Sequence, residues 1–113
     1  MKYKAIPKRI RVIGYELEVK QETKEQMTRN MGKNYVGYLF PHKSIAVRKD
    51  RPQQEKWHIL LHEIGHEIIS VIKDDAGNEE VDLNNEDIFS LLMRLFFAVL
   101  VDNKLLNCIQ EEK

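Results

Sequence analysis

Residues 62–66 read His-Glu-Ile-Gly-His, in the middle of a stretch from Gln53 to Ile72 built of helix formers and of apolar residues at helical spacing. At about 100° per residue, Trp57, Leu61, Ile64, Ile68, Val71 and Ile72 share one face, with Ile59 and Ile69 on the other side beside the histidines. A helix that is apolar nearly all round is expected to be buried nearly all round. Spacing i, i+4 sets His62 and His66 on one side, about 40° apart and one turn up. Both imidazoles can then reach one ion at the ~2.0–2.1 Å of a zinc–nitrogen bond. Glu63 projects beside the pair, where a carboxylate does not bind metal but takes a proton from water held there. Burying two imidazoles and a carboxylate without partners is costly, and a Zn2+ ion removes that cost. Gly65 costs the helix about 1 kcal/mol against Ala, which points to something packed or bound close by.

The chain has 113 residues, enough for one domain spanning 1–113. Its first half reads as β. Ile10 and Val12 alternate with charges, as do Tyr15, Leu17 and Val19, and the phase slips at Ile13-Gly14, which marks a bulge or tight turn. Residues 20–34 are polar and without sustained period, a loop with room for a helical turn around Glu22–Arg29. Tyr35 to Phe40 reads as a strand, Pro41 to Ser44 as a turn, and Ile45 to Val47 as a returning strand. Pro52 suits the first turn of the His62–His66 helix, and Lys73 to Asn78 ends it. Asn84 or Asn85 caps a second helix running to about Val101, and Leu105–Ile109 reads as a third, short one. Cys108, the one cysteine, is read as a small packing group. The fold class expected is α+β: a small twisted N-terminal sheet followed by two packed helices that bear the zinc site.

Catalytic zinc usually takes three protein ligands and keeps a position for water. The candidates for the third are His58, His42, Asp74, Asp75, Glu79, Glu80, Asp82, Glu86 and Asp87. Three histidines at i, i+4, i+8 on a straight helix do not readily converge, which places His58 at the rim. The second helix has an apolar arc of Phe89, Leu92, Met93, Phe96, Phe97 and Leu100, and Glu86 falls at its edge, within about 20° of Met93 and Phe97. Asp87 falls with Ser90 and Arg94 on a solvated face. Glu86 is therefore the carboxylate expected to turn inward, the alternative being that it only complements the helix dipole.

Leu60-Leu61-His62-Glu63-Ile64-Gly65-His66, followed by Glu86-x-x-Phe89-x-x-Leu92-Met93, resembles the ImmA/IrrE-type zinc metallopeptidases. More closely it resembles their small, single-domain branch encoded by phages and prophages, with Val99-Leu100-Val101-Asp102-Asn103 in the place of that branch's closing motif. The resemblance covers roughly Arg9 to Asn103. It implies a minimal gluzincin-like hydrolase in which His62, His66 and Glu86 bind zinc and Glu63 is the base. It suggests regulatory proteins such as repressors as substrates. Tyr35, Tyr38, His42 and His58 are the candidates to steady an oxyanion. An edge strand, Ile45–Arg48, would hold an extended peptide by backbone pairing.

Charge bounds the partners. Residues 1–56 hold 14 Lys/Arg against 6 Asp/Glu, and residues 57–113 hold 4 against 12. The halves can neutralise each other within one fold, and no helix has the basic stripe of a DNA reader, so no nucleic-acid partner is expected. No apolar run reaches the ~20 residues of a membrane span, and none near the start fits a signal peptide. The expected setting is a reducing cytoplasm, with a protein or peptide as partner. The alternative to hydrolysis is a zinc-stabilised binding module, the metal stapling a small core.

Overall fold

The computed structural model describes residues 2–77 and 82–107, together with the backbone of 109–110. Its centre is a four-stranded mixed sheet in the order β2-β3-β5-β4. The strands are β2 (Arg9–Val12), β3 (Tyr15–Glu22), β4 (Gly37–Phe40) and β5 (Ser44–Arg48), while β1 (Lys2–Tyr3) pairs with β6 (Ile109–Gln110). β2 and β4 run antiparallel to their neighbours, and β3 and β5 pair in parallel. The helices are α1 (Lys24–Met31), α2 (Gln53–Asp75) and α3 (Glu86–Asp102). The α+β expectation holds at this level.

The alternation in β2 and β3 turns Ile10, Val12, Leu17 and Val19 to one face of the sheet. There they meet Ile45 and Val47 of β5 and a row from α2, Trp57, Leu60, Ile64, Ile68 and Ile72, with Leu92 and Val99 of α3 closing the core. On the other face α1 covers Tyr38 and Ala46 with Met27. Asn103, just past α3, fastens that helix to the open edge of β2: its side chain accepts from the Arg11 N–H at 2.7 Å and donates to the Arg11 carbonyl at 2.6 Å.

Three expectations are corrected. Residues 20–34 are not mainly loop: Lys20–Glu22 finish β3, and the helical turn expected around Glu22–Arg29 is a two-turn helix, Lys24–Met31, opened by a capping box between Thr23 and Gln26. Ile45–Arg48 is not an edge strand. β5 pairs with β3 and β4 on its two sides, so the edges are β2 and β4. Residues 105–107 are not helical, and 109–110 lie in β6. The cap of α3 is Asn85, whose side chain accepts from the Asp87 and Ile88 N–H groups, and α2 runs on to Asp75. Cys108 and the end of the 73–78 turn lie outside the described residues.

Ile13-Gly14 is the tight turn of the β2–β3 hairpin, both residues having positive φ, 48° and 87°. Two positive φ values match the twist of the strands, but a β-branched side chain is unfavourable there. Ile13 is also partly exposed. Ile13→Asn is therefore expected to stabilise the chain by about 1 kcal/mol, read as an upward shift of the thermal midpoint. An unchanged or lower midpoint would contradict the turn.

Candidate metal centre

His62 and His66 stand one turn apart on the solvent side of α2, with both rings exposed. Their Nε2 atoms face each other at 3.0 Å, with ring centroids 4.6 Å apart and planes at 80°. Two imidazole nitrogens that close can both lie ~2.0–2.1 Å from one ion. The expectation of a helix buried nearly all round is corrected here. One step of about 100° along α2 separates the histidines from the inward face. The buried ionisable groups of α2 are instead Glu63, 7% exposed, and Glu67, fully buried.

Glu63 sits where β4 crosses α2. Burial pushes its carboxyl pKa up, and the neighbouring His66 and His62 oppose the shift. The strand comes this close because residue 37 is glycine. A Cβ there would lie 2.4 Å from Cγ2 of Ile59, 3.1 Å from the Ala46 carbonyl oxygen and 3.6 Å from Oε2 of Glu63. Gly37 and Leu39 of β4 line an open cleft of about 460 Å³ together with His62, Glu63 and His66. The Arg48 N–H donates to the Val36 carbonyl across the hairpin. By antiparallel alternation the N–H and C=O groups of Gly37 and Leu39 then point away from β5, along the free edge.

Glu67 is taken up by a second cluster that sequence reasoning missed. Its carboxylate accepts from the His42 backbone N–H at 2.7 Å and meets His42 Nδ1 at 2.6 Å, and His42 Nε2 meets Asp74 at 2.7 Å. Tyr15 stacks on the imidazole, ring centroids 4.1 Å apart. The bonds to Glu67 and Asp74 hold the His42 pKa above its ordinary value, against some desolvation. His42 has φ 64°, a conformation that favours Gly or Asn. The ring accounts for its presence, since it ties the β4–β5 turn to α2 at both carboxylates.

The remaining candidates separate clearly. His42 and Asp74 are engaged with each other, so neither joins the histidine pair. Tyr38 gives its hydroxyl to Glu22 on the α1 side of the sheet, which removes it from the oxyanion candidates. Tyr35 lines the cleft and is exposed. His58, Asp75, Asp82 and Asp87 are exposed, and Glu79 and Glu80 lie outside the described residues. Glu86 opens α3 and is also exposed. It shares its direction with Met93 and Phe97 as read from the sequence, but that side of α3 faces water. Among the described residues no three His, Cys, Asp or Glu side chains converge as a metal-binding group.

Comparison of the chain with protein-family models, curated proteins and solved structures returns no match. Among the described residues no helix is long and apolar enough to cross a membrane.

Proposed function

We propose that the chain is a zinc-dependent peptidase of the ImmA/IrrE kind, acting on an extended segment of a protein substrate such as a repressor. The observation that supports this most is the pair of facing Nε2 atoms at 3.0 Å beside a buried Glu63, in a cleft bordered by a strand edge. His62 and His66 would hold the Zn2+, with Glu86 as third donor. When bound, zinc supplies Lewis-acid polarisation of a carbonyl and a water acidic enough to deprotonate near neutral pH. The chain's own groups do the rest. The outward N–H and C=O groups of Gly37 and Leu39 can pair with a peptide backbone and hold it extended across the histidines. Glu63, with its pKa raised by burial, is suited to take a proton from water and pass it to the departing amine nitrogen. Tyr35 is the cleft phenol available to donate to an oxyanion.

Since Glu86 shares a face with Met93 and Phe97, joining the pair requires the start of α3 to leave its position in the structure. That exposure favours a second reading, a binding module in which two histidines hold zinc without hydrolysis.

Zinc titration against a chelating dye tests the site. The wild type is expected to bind about one Zn2+ per chain and to melt higher when loaded. Glu86→Ala should weaken binding tenfold or more if Glu86 is the third donor, and Asp87→Ala should change it little. Loss of affinity in neither variant would remove Glu86 from the site. Equal melting of loaded and stripped wild type would remove the zinc.

A further inference from the structure

An open cavity of about 700 Å³ lies where the flank of α1 meets the segment between β5 and α2. Lys24 and Thr28 line it from α1, Lys33 and Asn34 from the loop that follows, and Arg48 and Arg51 from the end of β5 and the approach to α2. It shares no residue with the metal cleft. Every lining side chain is polar, Lys24, Lys33, Arg48 and Arg51 are cationic, and none is a carboxylate. All come from residues 1–56, the half with the cationic excess, and the acidic second half supplies none. The carboxylates close by belong to the same half. Asp50 accepts from Arg48 Nε at 2.8 Å and Nη2 at 3.2 Å, Glu55 lies 3.4 Å from Arg51 Nη1, and Glu25 acts on Arg48 through its charge. With Nη1 of Arg48 also donating to the Tyr35 carbonyl at 3.3 Å, two of that guanidinium's N–H groups remain to serve a ligand.

Arg51 points to what that ligand is. Its Nε is buried and meets no hydrogen-bond acceptor. A buried donor left unmade is costly, and a bound ion is one of the partners that removes the cost. A turn of the side chain toward the cavity brings Nε and a neighbouring Nη to one oxyanion, the two-pronged grip by which a guanidinium takes phosphate. Lys24 and Lys33, both exposed, add point charges suited to a dianion. We propose that the cavity binds a phosphorylated polyol, a sugar phosphate or an inositol phosphate. Arg51 and the two lysines hold its phosphate. Its hydroxyls meet Thr28 and Asn34, whose side chains both donate and accept. The volume fits such a molecule, since small-ligand sites run from about 300 to 1,000 Å³. No aromatic or aliphatic side chain lines the cavity, so a nucleobase has nothing to stack on and an acyl chain nothing apolar to meet.

Calorimetric titration of the full chain, with EDTA present and no phosphate in the buffer, tests this independently of the zinc reading. The probes are fructose bisphosphate, inositol trisphosphate, inorganic phosphate, and unphosphorylated fructose and inositol. At least one phosphorylated polyol is expected to bind in the micromolar to millimolar range and more tightly than inorganic phosphate, while fructose and inositol give no heat. Arg51→Gln and Lys33→Gln should each weaken that binding about tenfold, the loss of one hydrogen bond to a charged group. Lys8→Gln, which removes the same charge from an exposed position ahead of β2 and outside the cavity, should leave it unchanged. Vesicles of phosphatidylcholine, with and without phosphatidylinositol bisphosphate, separate the two sources of the ligand. Capture by the phosphorylated vesicles alone makes it a lipid headgroup, and binding of the free molecules without capture makes it a soluble one. Three results overturn the proposal: no heat from either phosphorylated polyol through the millimolar range, inorganic phosphate binding as tightly as both, or Lys8→Gln costing as much as Arg51→Gln and Lys33→Gln.

Discussion

If the chain is the zinc peptidase proposed above, Glu63→Gln is expected to abolish its peptide cleavage while leaving the fold and zinc binding intact. Gln keeps the shape of the side chain between α2 and Gly37 but cannot accept a proton. A positioned base typically contributes about 10²–10⁴-fold to a rate. Cleavage of an unstructured peptide library, followed by mass spectrometry, should fall by that factor. The same substitution should raise the thermal midpoint of the metal-free chain at pH 7. The Glu63 carboxyl is buried and its pKa lies above the ordinary value. Its charged form therefore opposes folding once the pH exceeds the unfolded pKa, and the neutral amide removes that cost. The stability gain should shrink as pH falls through the ordinary carboxyl pKa of about 4.3, below which the group becomes protonated in both states. Cleavage at the wild-type rate by Glu63→Gln would exclude Glu63 as the base. A lower midpoint at pH 7 would show that the carboxylate is stabilised by something other than its solvent.

Legibility in the sequence follows the range of the interactions. Alternation at Ile10/Val12 and Leu17/Val19 specifies which face of the sheet is buried, and period 3.6 specifies α2, because each pattern repeats within a few residues of itself. α1 was legible too, in a signal that polar composition obscured: Thr23-Lys24-Glu25-Gln26 is a capping box, and one buried residue, Met27, suffices to dock two turns. The cover on both faces of β5 was also written locally, though not the strands that flank it. Ser44 to Val47 is buried without alternation, the mark of a strand covered on both faces. α3 is different. Apolar residues occupy most of its circumference, so the period alone does not choose which side meets α2, and the expected inward arc is split, with Leu92 buried and Phe89, Met93 and Phe97 exposed. The His42 cluster was beyond reach for another reason. Its members lie 25 and 32 residues apart in sequence, and only the position of the β4–β5 turn over α2 brings them together.

That cluster gives the second large expected effect, in His42→Ala. The substitution leaves Glu67 fully buried with only the backbone N–H at position 42 to satisfy it, and a buried acceptor that loses a partly exposed partner costs about 1–3 kcal/mol. Urea denaturation at pH 6 should show a loss of that size. The wild type should also lose stability as pH rises. His42 has a folded pKa above its ordinary value near 6.5. Its charged form therefore contributes fully below that value, and the contribution disappears as pH climbs through the raised one. The groups facing the ring are Glu67 and Asp74 of α2 and Tyr15 of β3, and above that pH a neutral imidazole can donate to only one of the two carboxylates. Asp74→Asn should flatten the pH dependence, because an amide can donate to the neutral ring nitrogen that a carboxylate cannot satisfy. If stability is level from pH 6 to 9 and His42→Ala lies within about 0.5 kcal/mol of the wild type, the size of an ordinary surface substitution, the His42 bonds are not holding the turn. If they are, the loss will be spatially uneven. The β4–β5 turn is tied to α2 through His42, whereas α2 is held by the whole core, so amide exchange in His42→Ala should quicken at Gly37–Phe40, beside Glu63, well before it does along α2.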